Sequence, residues 1–334
     1  MTAKELSSKT APQNRIKRED TVFIKWNTAP LKVYGVFYDE REKTFLRVNR
    51  DFAEGFDDVF KNLNARTSGG RLRFKTNSPY IGLVAVQKNN IQLNNMTLCA
   101  HSGFDLYADN NYMGTFLPKT NTKNGFSAIL ETDKKTHDYT INFPLFDNVN
   151  DLYIAVSENA EILPAAPYIN EGFPIIFYGS SITQGACASR PGLSYPSIIG
   201  RALNCDFINL GFSARCLGEI EMAKYIASMK KSAVVIDFDH NAPDEEYLKL
   251  HHKRFYDAVR GNDKDLPVII ASAPDISYKA GFEGRRDIIL ETFNGAKEKG
   301  DNVYFADGKK LFGKEPFECT VDNIHPNDMG LYNM

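Results

Sequence analysis

Four short segments of the chain carry residue types that together suit acyl transfer: Gly179-Ser-Ser-Ile-Thr-Gln-Gly185, Gly211-Phe-Ser-Ala-Arg215, Asp239-His-Asn-Ala-Pro243 and Asp322-Asn-Ile-His-Pro326. A serine hydroxyl is a poor nucleophile until an imidazole takes its proton, and that imidazole needs a carboxylate to fix its tautomer. Asp322 and His325 supply both from one segment. The transition state also needs donors aimed at the developing oxyanion. The backbone N–H groups after a serine of the first segment and at Gly211 suit this, because glycine lets backbone approach closely. Asn241 offers a side-chain amide as a further donor. Each segment alone is uninformative, since Gly-Ser-Ser is ordinarily a turn and Asp-x-x-His ordinarily starts a surface helix. The chemistry calls for no metal and no cofactor. The first segment also lacks the G-x-G-x-x-G loop and the Walker lysine of nucleotide sites.

These segments need elements to carry them. From residue 175 onward, short apolar runs (175–178, 206–210, 233–238, 267–271, 302–306) alternate with helical stretches (195–203, 219–229, 244–259, 286–299). That alternation predicts an α/β domain with a parallel sheet covered on both faces. In such folds ligands sit beyond the carboxyl ends of the strands, and the first three segments follow the first three runs. The earlier half reads differently. Runs such as 21–26, 32–38, 71–75, 80–86, 104–107, 112–116, 126–130, 137–143 and 151–156 are rich in β-branched and aromatic residues and are punctuated by Gly, Asn and Asp. Many short strands at this spacing predict an all-β sandwich or jelly roll. The expected division is a flexible start over 1–18, the β domain over 19–162, a proline-bearing linker over 163–174 and the α/β domain over 175–334.

Composition narrows the classes. The 334 residues are 43% hydrophobic and 25% charged, with 40 Lys+Arg against 42 Asp+Glu. That length accommodates two globular domains, and near-neutral charge lacks the basic footprint of a nucleic-acid partner. No apolar run approaches the ~20 residues that span a bilayer. The first residues lack an apolar signal core, so a cytoplasmic location is expected unless a leader has been removed. Cys99, Cys187, Cys205, Cys216 and Cys319 are odd in number and widely spaced, which predicts scattered reduced thiols. Cys187 has no sequence partner that marks it as a nucleophile.

The order Ser, Gly, Asn, Asp-x-x-His, each at its strand end, resembles the SGNH hydrolases, also called the GDSL esterase/lipase family. The family's Gly-Asp-Ser block is here Gly179-Ser180-Ser181, followed by Ile182-Thr183. The resemblance makes Ser181 the nucleophile, His325 the base and Asp322 its orienting carboxylate. It gives the oxyanion hole to the backbones of Ser181 and Gly211 and to the Asn241 amide. Two departures stand out. The third block, usually Gly-x-Asn-Asp, reads Asp239-His-Asn-Ala242, and the second lacks a further glycine after Ser213. Gly103-Phe-Asp-Leu-Tyr107 also matches the Gly-x-Asp-Leu-Tyr signature of a bacterial subgroup with an N-terminal β-sandwich, similar to carbohydrate esterases and to one acyltransferase.

What the resemblance implies is a serine esterase for short acyl groups, first an acetylated saccharide. An acyltransferase with a non-water acceptor and a catalytically silent carbohydrate-binding protein are the other classes. Arg190 and His240 are candidates for substrate contact, against structural roles for both. Asp105 and Tyr107 either touch substrate or shape a turn. His251 and His252 are expected on a helix surface. The family would continue a final helix past Met334, so the sequence is expected to stop short.

Overall fold

Alternation of apolar side chains builds the first half of the chain, and longer apolar runs build the second. The computed structural model describes residues 1–8, 16–88, 92–119, 124–274 and 281–334. They form two compact units, one of Met1–Pro167 with Ala188–Gly192, the other of Tyr168–Cys187 with Leu193–Met334.

The first unit is a sandwich of antiparallel sheets. In chain order its strands are β1 (Thr21–Lys25), β2 (Lys32–Tyr34), β3 (Phe37–Asp39), β4 (Thr44–Leu46), β5 (Arg71–Thr76), β6 (Tyr80–Val86), β7 (Phe104–Ala108), β8 (Asn111–Phe116), β9 (Phe126–Glu131), β10 (His137–Asn142), β11 (Asp151–Ser157) and β12 (Ile162–Leu163). One sheet runs β1-β11-β6-β9, the other β12-β5-β10-β7-β8 with β2 on β5, and β3 pairs with β4. Alternate residues point inward: Leu72 and Phe74 from β5, Ile81 and Leu83 from β6, Tyr139 and Ile141 from β10, and Leu152 and Ile154 from β11 are fully buried in one core. This is the period-two rule applied to both inner faces.

Among the described residues, the short helices Arg50–Ala53, Asp58–Asn64 and Leu98–Ser102 lie between these strands. Asn49, Asp57 and Thr97 cap them by accepting the N–H of Asp51, Phe60 and Ala100. They are too short to show an apolar period, so sequence reading passed over them. Of the flexible start expected over residues 1–18, residues 9–15 lie outside the described residues, and Ala3–Leu6 differs from the expectation. Ala3–Leu6 is helical, and Ala3 is buried with its N–H on the carbonyl of Ala160 at 2.8 Å. The expected linker over 163–174 is not a single element: Leu163 pairs with Lys75, and the units divide after Pro167.

The second unit has a five-stranded parallel sheet ordered β14-β13-β15-β16-β17, where β13 is Ile175–Gly179, β14 Phe207–Gly211, β15 Ala233–Asp237, β16 Val268–Ala271 and β17 Val303–Ala306. Every residue of β13 is buried, as a strand covered on both faces requires. On one face Tyr178 stacks on Phe255 at 4.4 Å from helix Glu245–Arg260. On the other, Phe177 meets Tyr195 of helix Tyr195–Ala202 at 5.7 Å. The chain runs outward from β13 to β14 and then crosses to β15 on the other side. In open α/β sheets ligands bind beyond the carboxyl ends of the strands at such a reversal, here those of β13 and β15. Among the described residues no helix is long and apolar enough to cross a membrane.

Candidate active site

Gly179 ends β13 in a turn that tolerates no side chain. A Cβ there would lie 2.1 Å from Thr183 Oγ1 and 2.3 Å from the Asp237 carbonyl oxygen. The turn is fixed by Ser180, whose N–H donates to the Asp237 carbonyl at 3.0 Å and whose Oγ accepts the Ile182 N–H at 3.2 Å. Ser180 therefore caps the short helix Ser181–Gln184 and leaves Ser181 half-buried as its first residue. Beneath, Thr183 donates to Asp237 Oδ2 at 3.0 Å, and the Tyr195 hydroxyl reaches both at 3.1 and 3.2 Å. Burial, reinforced by the charge of Asp239, pushes the Asp237 carboxyl up to about 8.

Ser181 Oγ lies 2.9 Å from His325 Nε2, although 144 positions separate them. His325 Nδ1 lies 2.8 Å from Asp322 Oδ2. The other Asp322 oxygen accepts the N–H of Ile324 at 3.1 Å and of His325 at 2.8 Å. The loop is closed by the Val321 N–H on the His325 carbonyl and the Asn327 N–H on the Cys319 carbonyl, both at 2.9 Å. Asn327, not His325, caps the helix Asp328–Asn333 that follows.

The donor side differs from expectation. The Gly211 N–H donates to Asn209 Oδ1 at 2.8 Å, so it is committed within the fold rather than offered to an oxyanion. Gly211 is required for packing instead: a Cβ there would sit 2.3 Å from the Gln184 nitrogen. Asn209 was not singled out by sequence, although it is a polar residue inside an apolar strand. Its amide also donates to the Thr183 carbonyl at 2.7 Å, tying β14 to the serine turn. No acceptor among the described residues takes the N–H of Ser181. Nor does one take the N–H of Ala214, which adopts φ 56 where the resemblance leads one to expect glycine. A left-handed residue other than glycine costs roughly 1–2 kcal/mol.

Asn241 donates one amide N–H to the Phe212 carbonyl at 3.2 Å, and Phe212 in turn donates its N–H to the Gly179 carbonyl at 2.9 Å. The turn carrying Asn241 is held by Arg285, which donates to the carbonyls of Asp239 at 2.6 Å and Ala242 at 2.7 Å. His240 packs its ring against Phe282 at 5.2 Å. His252 is not on the surface as expected: it is 1% exposed, and burial pushes its imidazole down to about 4. His251 bonds the Tyr247 carbonyl at 2.8 Å.

Arg190 belongs to the first unit. It pairs with the fully buried Asp105 at 3.0 Å, donates to the Tyr107 hydroxyl and lies 3.8 Å from the centre of the Tyr112 ring. Asp105 also accepts the Gly192 N–H and the Asn142 amide, both at 2.8 Å. The Gly103–Tyr107 signature thus clasps the five-residue return of the chain at 188–192. Cys187 is buried beside Asp322 and His325, and burial, then the charge of Asp322, pushes its thiol up to about 12, which leaves it a poor nucleophile.

Residues 173–334 match the GDSL-like lipase/acylhydrolase family, and residues 21–162 match the GxDLY domain, the N-terminus of SGNH-hydrolase-type esterases. A chain from Bacteroides ovatus ATCC 8483 described as a GDSL-like lipase is 27% identical over 94% of each chain, with a TM-score of 0.82. SsfX3, a salicylyl-acyltransferase from a tetracycline biosynthetic pathway, is 15% identical over 95% of each chain, with a TM-score of 0.76. Est2A, an acetyl xylan esterase from the rumen bacterium Butyrivibrio proteoclasticus, is 14% identical over 94% of this chain and 95% of its own, with a TM-score of 0.58. No curated protein matches the sequence.

Proposed function

The chain belongs to the GDSL-like lipase/acylhydrolase family, with the esterase-type N-terminal domain before its hydrolase domain, and on that premise we propose that it hydrolyses short-chain acyl esters, acetyl first, on a carbohydrate. The observation that carries the reading is the relay from Ser181 Oγ through His325 to Asp322, at 2.9 and 2.8 Å.

In this scheme His325 Nε2 takes the Ser181 proton as Oγ attacks the ester carbonyl. Asp322 keeps the other ring proton on Nδ1, so the lone pair faces the serine. The oxyanion forms against the Ser181 N–H and the second N–H of Asn241, donors that no acceptor among the described residues takes. Collapse of the tetrahedral intermediate expels the alcohol, protonated by His325, and leaves an acyl-serine. Water, deprotonated by the same imidazole, then releases the acid.

Substitution of Ser181 by Ala is the direct test. We expect the folded variant to lose turnover of p-nitrophenyl acetate, and wild-type rates in that variant would refute the assignment. The acetyl–carbohydrate reading is supported by the fold shared with an acetyl xylan esterase and with family two carbohydrate esterases. Its test is a screen of acetylated saccharides against aryl esters of increasing chain length. Transfer to a non-water acceptor is the second reading, favoured by the likeness to SsfX3 along nearly the whole chain. Identification of an acylated acceptor among the products, rather than free acid, would establish it.

A further inference from the structure

The acyl-transfer scheme makes no use of Cys187, yet the fold sets this thiol against both residues of the base. Cys187 Sγ, a carboxylate oxygen of Asp322 and a ring nitrogen of His325 all lie within 4.8 Å of one another. Nothing in the spacing announces this, since Cys187 stands more than a hundred residues before the other two. The cluster is closed on one side and open on the other: Cys187 is 7% exposed, whereas the side chains of His325 and Asp322 are 20% and 33% exposed. The backbone of Cys187 sits in the left-handed region at φ 65, after a glycine at φ 105 that turns the chain out of the serine helix.

A thiolate, an imidazole and a carboxylate form a mixed donor set for Zn²⁺ and its thiophilic relatives. Tetrahedral ions held by three such groups keep one position for water, and His325 and Asp322 are the partly exposed members of the cluster. We propose that Cys187, Asp322 and His325 form an inhibitory site for a thiophilic divalent cation, Zn²⁺ or Cd²⁺, which switches the enzyme off by taking its base.

The step balances as follows. The incoming ion forms bonds to Cys187 Sγ, to Asp322 and to His325 Nδ1, the ring nitrogen that Asp322 already faces. The thiol S–H bond breaks and its proton goes to solvent. The proton of Nδ1 is relocated to Nε2, so the imidazole stays neutral. Nε2 then carries a hydrogen and can only donate toward Ser181 Oγ, which removes the acceptor that the serine needs. One proton leaves per ion bound.

The inhibition part rests on the reading of His325 as base, so the test has a readout that does not depend on activity. Cd²⁺ is titrated into the wild type and into Ser181→Ala, following the ultraviolet thiolate-to-cadmium charge-transfer band. In parallel, Zn²⁺ inhibition of p-nitrophenyl acetate turnover is measured for the wild type, Cys187→Ser and Cys187→Ala, each relative to its own metal-free rate. We expect a saturable band of equal strength in the wild type and Ser181→Ala, with one proton released per ion. Both Cys187 variants should lose that band while keeping Cys99, the more exposed thiol, and their inhibition midpoints should rise by at least the 10–100-fold typical of losing an outer-shell partner. A band that survives in both Cys187 variants, or a midpoint that does not move, overturns the proposal. If no ester is turned over but the band behaves as stated, the esterase reading falls and the cation site stands.

Discussion

Asp322 holds His325 at two points: one carboxylate oxygen lies 2.8 Å from Nδ1 of the ring and the other accepts the backbone N–H of His325, also at 2.8 Å. The same side chain therefore fixes where the residue sits and which way its ring faces. Three-residue spacing makes this possible, because the carboxylate folds back over its own turn while Asn323 takes φ 65. The loop presents a finished acid–imidazole unit, and only the serine must be brought to it.

Replacing Asp322 by Asn tests that unit. The amide presents an N–H to Nδ1 and drives the imidazole toward the wrong tautomer, so kcat for p-nitrophenyl acetate should fall by about 10⁴-fold with KM little changed. The backbone tie persists through the amide oxygen, so circular dichroism should match the wild type. A kcat within about tenfold of wild type would remove Asp322 from the scheme.

Asn241→Ala removes one proposed oxyanion donor while leaving nucleophile and base in place. The expected loss is about 10²–10³ in kcat, the usual range for one such donor, with KM much less affected. Steady-state kinetics on one aryl ester decides it: a change confined to KM would make Asn241 a binding residue only.

Arg190→Ala should act on stability. Asp105 is fully buried, and burial already pushes its carboxyl above the ordinary range against the pull of its donors. Leaving such a charge without its guanidinium typically costs about 3–5 kcal/mol. Urea unfolding should show that loss, and the double variant Asp105→Asn/Arg190→Met should recover most of it because no uncompensated charge remains. A loss below about 1 kcal/mol would mean the pair behaves like an exposed one.

Asp237 makes a prediction about pH. Its carboxyl is held at about 8 in the folded protein, above the ~3.9 of an unfolded aspartate. Between these values the folded state binds the extra proton, so this group lowers stability as pH rises, by up to about 1.4 kcal/mol per pH unit, and the effect levels off above pH 8. Asp237→Asn should flatten that slope between pH 5 and 8 and raise Tm most at pH 9. An identical pH dependence in variant and wild type would show that Asp237 is ionised throughout.

The two kinds of sheet were legible because period and run length encode burial directly. In Arg71–Thr76 apolar Leu72 and Phe74 alternate with polar residues and only the apolar pair joins the core cluster, whereas Ile175 to Tyr178 runs apolar without a break. The strand-end rule then marked Ser181 and Asn241, and the short spacing of Asp322 and His325 marked the base. Hydrogen-bond allegiance was not legible. Gly211 carries the right residue type, but its N–H belongs to Asn209. Arg190 follows the serine segment, yet its guanidinium belongs to Asp105, 85 positions earlier. His252 looked like one more polar helix residue until packing put it against Phe238 at 5.5 Å.

The sequence by itself determined the architecture of both units and singled out Ser181, Asp322 and His325 as candidates, because periodicity and local spacing are properties of neighbouring residues. Tertiary structure alone decided which donors remain free, which charges are already paired, and that the thiol of Cys187 shares a 4.8 Å neighbourhood with Asp322 and His325. Those outcomes depend on distances between side chains far apart in the chain, and a polar group's role is settled only when every competing partner has been placed around it.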